Sequence, residues 1–346
     1  MKLSLYPHGA RQWLSALARL IILVLLLSST MFSFTHMPGS SFSDSLPPLT
    51  RQEQQTSELL RRHVHTLALD IGPRNIWRPS SMSSTTGYLE EELVDLGYAV
   101  RQQEFPAYNV TAVNLEVEIA GSLQPEEIVV IGAHYDTVSG CPGANDNGSG
   151  VAALLELARL LADTRPVRTV RLVAFANEEY PFSLSKDMGS RHYAALTRKR
   201  QEKIVAMLSL ETMGYYRDDP GSQQYPFPFS LFYPNTANFI GFVGNVRSRH
   251  LVRRAIGSFR RHAHFPSQGI AVPSFITGVG WSDHWSFWQE GYPAIMVTDT
   301  AFYRYAPYHT PADTPEKLNY ERMARVVTGL ADTILELAGN LPPLKK

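Results

Sequence analysis

The sequence predicts an α/β fold in which helices cover both faces of a mixed, mostly parallel central sheet. Short apolar runs, typical of buried strands, alternate along the chain with longer segments that have the apolar period of a helix. Several of these runs end abruptly in His, Asp or Glu, and ligand sites of such sheets lie beyond the carboxyl ends of the strands. The chain has 346 residues, 44% of them apolar, which suffices for one large core.

The individual elements follow from local pattern. Strands are predicted from short runs rich in β-branched and aromatic residues at 98–105, 113–119, 128–133, 170–176, 204–210, 239–243 and 294–298. Helices are predicted from apolar residues at helical spacing at 50–69, 85–96, 150–161, 250–262, 282–290 and 322–338. This alternation predicts three layers, with the sheet between two layers of helices.

Charge and cysteine content restrict the possible partners. Lys+Arg and Asp+Glu both number 32, so the formal net charge is zero, and no long basic run is present that could follow a phosphate backbone. We therefore expect no nucleic-acid partner. Cys141 is the single cysteine, which excludes an intrachain disulfide and a Cys-rich zinc site, so a metal would depend on His and carboxylates.

The N-terminus has the pattern of an export signal. Lys2, Arg11 and Arg19 precede an apolar run at 20–34, followed by a Ser/Pro-rich linker at 38–48. Counted from Trp13, the run approaches the ~20 residues that span a bilayer, and no small-residue cleavage site is evident. We favour a membrane anchor with the remaining chain outside the cytoplasm. The alternative is a cleaved signal that leaves a secreted or periplasmic protein. Residues 1–47 are assigned to this segment and its linker, and 48–346 to one domain.

Polar side chains follow the apolar run at 128–133. His134 and Asp136 are separated by one residue, so on an extended chain their side chains point to the same side. This arrangement suits an imidazole that binds a metal and a carboxylate that accepts its other ring N–H. Taken alone, however, a histidine at a strand end is more often a surface or core residue.

Two further motifs carry carboxylates. The loop Gly-Ala-Asn-Asp-Asn-Gly-Ser-Gly at 143–150 projects Asp146 at the start of a helix, where it is either a metal ligand or an ordinary N-cap. The run at 170–176 leads into Glu178 and Glu179, whose side chains diverge on leaving a strand. One of them is then free to bind a metal while the other takes a proton from water. The alternative for this pair is a solvated acidic turn.

The last two motifs complete a set with metal-ligand chemistry. Glu211 follows the run at 204–210, and His309 lies in the turn-rich segment Tyr-His-Thr-Pro-Ala-Asp-Thr at 308–314. Together the five motifs bring two His and several carboxylates to one edge of the sheet. Such mixed nitrogen and oxygen ligation favours Zn²⁺.

The chain resembles peptidase family M28, a family of zinc aminopeptidases, over roughly residues 50–340. The resemblance is carried by five motifs that occur in the order of that family: His134-x-Asp136, Asp146-Asn-Gly-x-Gly, Glu178-Glu179, Glu211-x-Met-Gly and Tyr308-His-Thr-x-x-Asp313-Thr. The segment at 282–294 also resembles the part of the family that precedes its last ligand. Any one motif is weak, but the ordered combination is specific. The resemblance implies a zinc-exopeptidase-like α/β/α domain.

The resemblance also implies the ligands of two Zn²⁺ ions. His134 and Glu211 are expected to hold one zinc, Glu179 and His309 the other, and Asp146 to bridge them. Many members of the family have Asp in the position of Glu211. The additional methylene shifts the carboxylate by about one bond length, which puts the geometry of the first site in question.

Two further roles are implied for catalysis. Glu178 is expected to be the general base of a hydrolysis in which a hydroxide shared by the two metals attacks the peptide carbonyl, and Asp136 to support His134. The expected substrates are peptides with a free N-terminus. A carboxypeptidase remains open, and an acidic pocket that binds an amine, rather than an Arg that binds a carboxylate, would exclude it.

Two other classes resemble the same fold. Glutaminyl-peptide cyclases keep a single zinc and catalyse an intramolecular acyl transfer, and a non-catalytic scaffold would lack ligands. The complete ligand set disfavours both. Ser282 or Asp283 is interpreted as an N-cap, Cys141 as a non-ligand, and the aromatic segments at 225–233 and 302–308 as core or as the lining of a pocket.

Overall fold

The computed structural model describes residues 9–339, which divide into two compact units, 9–36 and 37–339. The first unit consists of helix α1, Ala10–Thr35, whose 26 residues reach a mean hydropathy of 2.1 over 18 residues. A helix of that length is about 39 Å long, enough for the ~30 Å hydrocarbon layer of a bilayer. A signal sequence has the same length and composition. Lys2 lies outside the described residues.

The second unit contains seven further α-helices and eight strands among the described residues. The helices are α2 (Arg51–His65), α3 (Pro79–Asp95), α4 (Gly150–Leu161), α5 (Gly189–Lys199), α6 (Arg249–His262), α7 (His284–Gln289) and α8 (Tyr320–Leu337). The strands are β1 (Arg101–Ala107), β2 (Val110–Ile119), β3 (Gln124–His134), β4 (Arg168–Phe175), β5 (Lys203–Glu211), β6 (Ile240–Asn245), β7 (Ser267–Val272) and β8 (Ala294–Thr298).

All eight strands form one sheet in the order β1-β2-β4-β3-β5-β8-β6-β7. The central strands β4, β3, β5 and β8 are parallel, whereas β2 and β6 pair antiparallel with their central neighbours. The predicted mixed, mostly parallel sheet is confirmed. Its central strands place their carboxyl ends at the same edge, which is where β3, β4 and β5 deliver the polar residues of the sequence motifs.

The two faces of the sheet have separate cores, because successive side chains of a strand point to opposite faces. Along β3, Val129 and Ile131 belong to the larger cluster with α2, α4, α6 and α8, whereas Ile128 and Val130 pack with α5 and α7. Since all four side chains are buried, β3 reads as a continuous apolar run. The three predicted layers are therefore present.

Strand β8 and helix α4 begin and end at the predicted residues, but two elements had no prediction. Strand β7 contains Ser267, Gln268 and Gly269 in its first half and pairs only with β6, so its apolar pattern is weak. Helix α5 has few apolar residues because one face packs on α7 and the sheet while the rest stays in solvent. Both are held by tertiary contacts that local pattern does not report.

The predicted linker at 38–48 runs along the surface of the second unit. Arg260 of α6 donates hydrogen bonds to the carbonyls of Pro38 (3.0 Å) and Gly39 (2.9 Å), and Arg325 of α8 donates to that of Pro47. The boundary between the two compact units therefore lies directly after His36, and the linker belongs to the second unit. The assignment of 1–47 to an export segment and 48–346 to one functional domain stays a prediction.

Candidate metal centre and active site

The carboxyl ends of three adjacent parallel strands bring the motif residues together. In register, His134 at the end of β3 lies beside Phe175 at the end of β4, and Gly132 of β3 lies beside Ser209 of β5. Glu178 and Glu179 follow β4 within a few residues, and Glu211 is the last residue of β5. The register therefore converts separate sequence motifs into one cluster at the sheet edge.

The first group of ligand atoms is formed by His134, Asp146 and Glu211. The Nε2 atom of His134 lies 3.4 Å from Oδ1 of Asp146 and 3.3 Å from Oε2 of Glu211. All three side chains are buried. Glu211 reaches the group despite its additional methylene, so the glutamate is compatible with this arrangement of donors.

The second group shares one carboxylate with the first. The Nε2 atom of His309 lies 2.8 Å from Oδ2 of Asp146 and 3.3 Å from Oε1 of Glu179. One oxygen of Asp146 thus faces each group, which is the geometry of a bridging carboxylate. His309 is the exposed member, with 36% of its side chain accessible, and its ring stacks on Tyr308.

Glycines and asparagines shape the loop that presents Asp146. Gly143 has φ of +64°, and a Cβ at this position would lie 2.2 Å from the Thr137 side chain, so a larger residue is excluded. The Asn147 side chain donates to the carbonyl of Leu210 (2.8 Å) and accepts from the backbone N–H of Thr212 (3.1 Å). These bonds tie the loop to the end of β5, so Asp146 and Glu211 are positioned together.

Asp136 holds the residues around His134 in place. Nδ1 of His134 lies 3.2 Å from the backbone carbonyl oxygen of Asp136, its hydrogen-bond partner, and 3.4 Å from Oδ1 of the Asp136 carboxylate. Oδ1 also accepts the backbone N–H of Glu178 (3.0 Å), and Oδ2 accepts that of Glu179 (3.1 Å). Asp136 therefore orients the imidazole with its backbone carbonyl and nearby carboxylate, and its carboxylate fixes the turn after β4.

Glu178 stands beside the two groups without belonging to either. Its Oε2 lies 4.0 Å from Nε2 of His134, and its side chain is 9% accessible. The preceding residue, Asn177, has φ of +59°, a conformation uncommon for a residue with a side chain. The turn thereby directs Glu178 and Glu179 apart and leaves the Glu178 carboxylate outside both ligand groups.

Several atoms of this cluster lack the partners that buried polar atoms normally have. Among the described residues, Nε2 of His134, both carboxylate oxygens of Asp146 and Oε1 of Glu179 make no hydrogen bond of acceptable geometry. Burial raises the pKa of Glu178 well above its ordinary value, and burial together with the charge of Asp146 raises the pKa of Glu179 to about 7. Burial likewise raises the pKa of Glu211.

A divalent cation would satisfy both deficiencies. It would take the unpartnered oxygen and nitrogen atoms as ligands, and its charge would favour the ionised carboxylates that burial disfavours. The set consists of imidazole and carboxylate donors, which is the chemistry that Zn²⁺ accepts in catalytic sites. The residues present therefore fit zinc.

Two sequence interpretations need correction or completion. The N-cap interpretation of Ser282 or Asp283 holds only for the position of Asp283, which is the N-cap residue of α7 but makes no capping side-chain hydrogen bond. The Ser282 hydroxyl donates instead to Oε2 of Glu211 (2.8 Å). Asp283 is fully buried, and burial raises its pKa to about 7. Cys141 belongs to neither ligand group, and its thiol contacts the carbonyl of Thr310 (3.1 Å).

Arg74 is a structural residue of the site that the sequence did not reveal. It is fully buried and donates to five backbone carbonyls at 2.7–3.1 Å, those of Leu67, Gly72, Tyr135, Pro142 and Gly143. Burial lowers its pKa to about 10, against the opposing charge of Asp313. Arg74 thus joins the end of β3 to the loop that carries Asp146.

Replacing Arg74 by Met should lower the free energy of unfolding by at least about 3 kcal/mol, because five carbonyls lose the bond from its guanidinium group inside the protein. Only the carbonyls of Leu67 and Gly143 keep a backbone N–H donor among the turn and loop bonds of the described residues. Urea unfolding followed by tryptophan fluorescence measures this change. Arg200→Met is the matched control at an exposed arginine and should change the free energy by no more than about 0.5 kcal/mol. Equal effects of the two variants would contradict the positioning role.

An open cavity of about 110 Å³ adjoins Glu211. The two aromatic segments of the sequence contribute to its wall through Tyr225, Phe229, Tyr233, Phe302, Tyr303 and Tyr308. Of the two interpretations of these segments, the lining of a pocket is therefore correct for these six side chains. No Arg or Lys is present among the described residues that line the cavity.

Comparison with known proteins finds a matching family, relatives in sequence and similar solved structures. The family model of peptidase family M28 matches residues 114–334. The uncharacterized protein YfbL of Escherichia coli (strain K12) is 37% identical over 322 residues, or 90% of this chain and 96% of that protein. Aminopeptidase YwaD of Bacillus subtilis (strain 168) is 29% identical over 212 residues, or 58% of this chain and 39% of that protein. The solved structure of BSAP, a zinc aminopeptidase from Bacillus subtilis, has a TM-score of 0.63 at 15% identity and covers 84% of this chain and 96% of that one.

Proposed function

The chain belongs to peptidase family M28, and from this membership we propose that it is an aminopeptidase that hydrolyses N-terminal peptide bonds with two zinc ions. The observation that carries the proposal is the pair of ligand groups that share Asp146, with Glu178 beside both. Every residue required for binding and for proton transfer lies at one edge of the sheet.

Each zinc ion is assigned one imidazole and one carboxylate of its own. His134 and Glu211 would hold one ion, Glu179 and His309 the second, and Asp146 would give one oxygen to each. When bound, zinc polarises the scissile carbonyl and lowers the pKa of water in contact with it. Asp136 keeps His134 in the required tautomer, because its backbone carbonyl and, next to it, its carboxylate face the opposite ring nitrogen.

Glu178 is the general base in this proposal. Its carboxylate is not needed for either ligand group, so it can take a proton from the attacking water and pass it to the leaving amine. Its backbone is fixed by Asp136, which limits the side chain to positions beside the cluster. Close placement without ligation is what a proton carrier requires.

The surroundings favour an amino end of the substrate over a carboxyl end. The described lining of the adjoining cavity has no cationic side chain that could bind a substrate carboxylate, which disfavours a carboxypeptidase. The cavity wall is aromatic, so it suits an apolar side chain at the cleaved position. We therefore infer preference for N-terminal residues such as Leu and Phe.

The proposed location follows from α1. We infer that this helix anchors the protein in a membrane and that the second unit acts outside the cytoplasm on peptides with free N-termini. Arg11 and Arg19 lie in the N-terminal half of α1, in accord with that orientation.

The proposal is tested on the full-length chain in detergent, by elemental analysis of bound metal and by hydrolysis of aminoacyl chromogenic substrates. We expect two zinc ions per chain, cleavage of the leucyl and phenylalanyl substrates, and no cleavage of N-acetyl-leucyl substrate. Burial of an apolar side chain should favour leucyl over glutamyl substrate by about 10- to 100-fold in kcat/KM.

Other outcomes identify the rival functions. One zinc ion with cyclisation of an N-terminal glutaminyl peptide would support an acyl transferase, and no zinc with no turnover would support a scaffold. Cleavage of peptides blocked at the N-terminus but free at the C-terminus would support a carboxypeptidase.

A further inference from the structure

Positive charge is concentrated on one part of a chain that is neutral as a whole. Between residues 220 and 282 the sequence has six arginines and no Lys, Asp or Glu. Two of these arginines precede or open α6, and the other four lie within the helix, which has no acidic residue. This region therefore carries a local positive field that the net charge of zero conceals.

Three basic side chains of α6 lie in one row along the helix. His250, Arg254, Gly257 and Arg261 are spaced four, three and four residues apart, which places them in one row along a helix. We call this row the α6 basic stripe. His250, Arg254 and Arg261 are exposed, and of the two arginines Arg261 forms an ion pair with Glu336. Arg254 has no ion pair or hydrogen bond to another described residue.

The first residues of the second unit lie on this stripe. A Cβ at Gly257 would lie 3.0 Å from Cγ of Pro38, so the glycine provides the space that Pro38 occupies. Arg260 fixes the same segment through the carbonyls of Pro38 and Gly39. Pro38, Arg254, Gly257 and Arg261 also line one groove of about 160 Å³, together with Arg253, Glu336 and Leu337.

The covalent chain connects this surface to α1. Thr35 is the last residue of α1, Met37 is buried in the second unit with 6% of its surface exposed, and only His36 lies between them. One residue spans about 3.8 Å between consecutive Cα atoms. If α1 crosses a membrane, Pro38 and the residues that contact it must therefore lie at the level of the phospholipid headgroups, whatever direction α1 takes.

We propose that the α6 basic stripe binds the phosphate groups of anionic phospholipids and so holds the catalytic unit against the membrane surface. Guanidinium groups suit this partner because they present several donors to phosphate oxygens and remain charged. The proposal goes beyond the peptidase function and depends only on α1 being a membrane anchor. The unpaired Arg254 contributes most to the attraction, which decreases with salt.

The test uses the full-length chain in vesicles that contain a lipid with a nitroxide headgroup. Because Cys141 is buried, a fluorophore attaches selectively to a cysteine introduced by His250→Cys in the stripe or by Glu104→Cys on β1. Strands β7 and β1 are opposite edges of the sheet, about 34 Å apart at the usual strand spacing. We expect several-fold stronger quenching at residue 250 than at residue 104 in vesicles with 30% phosphatidylglycerol.

The dependence of quenching on charge distinguishes binding of the α6 basic stripe to lipid from tethering of the second unit by α1 alone. Quenching at residue 250 should decrease in pure phosphatidylcholine or in 0.5 M salt, and Arg254→Gln should reduce the docked population about fivefold. Arg101→Gln, which removes a positive charge on β1, should have no effect. Equal quenching at residues 250 and 104, quenching that does not respond to lipid charge or salt, or a chain that does not insert into vesicles would each overturn the proposal. Hydrolysis of leucyl substrate in the same vesicles reports the peptidase function separately.

Discussion

Replacing Glu178 by Gln should reduce kcat by about 10²- to 10⁴-fold while the zinc content and the fold remain unchanged. Glutamine has the shape of glutamate but cannot take a proton from water. The backbone N–H of residue 178 still donates to Asp136, so the turn after β4 keeps its conformation. The measurement is kcat for leucyl substrate, with zinc determined on the same sample.

Glu179→Gln is the matched control, because it makes the same chemical change one residue away. Glu179 belongs to the second ligand group, so its loss should reduce zinc from two ions per chain to one. The two variants thus distinguish a proton carrier from a ligand at adjacent positions. If Glu178→Gln kept more than a tenth of wild-type kcat, or lost zinc as Glu179→Gln does, the assigned role would be incorrect.

The fold could be predicted because its signals are local. The run at 128–133 is apolar throughout, because its side chains are buried on both faces of the sheet. His134 marks its end. The same pattern of an apolar run followed by a polar residue located Glu178, Glu179 and Glu211. Parallel pairing then accounts for their proximity, since the ends of adjacent parallel strands share an edge.

The contacts that support the site could not be predicted, because they join distant parts of the chain. Arg74 and Gly143 are 69 residues apart, and Ser282 and Glu211 are 71 apart. Nothing in the local pattern distinguishes a buried arginine that binds carbonyls from one on the surface. Ser282 precedes a short helix and therefore had the pattern of an N-cap, although its hydroxyl contacts a carboxylate.

Replacing Asp146 by Asn should remove both zinc ions and lower kcat/KM by at least a hundredfold, a larger loss than any other ligand variant is expected to cause. Each oxygen of Asp146 faces one ligand group, and the substitution removes the negative charge from both at once. Glu211→Gln and Glu179→Gln each affect one group and should each leave one zinc ion.

Metal analysis of these three variants distinguishes a shared carboxylate from two independent sites. A shared ligand predicts about zero, one and one zinc ions per chain for the Asp146, Glu211 and Glu179 variants, whereas independent sites predict one ion in every case. Thermal unfolding gives a second readout, because an ion that binds only the folded chain raises the unfolding midpoint, and tighter binding raises it further. Added zinc should therefore raise the midpoint of the wild type and of both glutamate variants, but not that of Asp146→Asn. A midpoint of Asp146→Asn that rises with zinc as much as that of Glu211→Gln would show that the two groups bind metal without a common carboxylate.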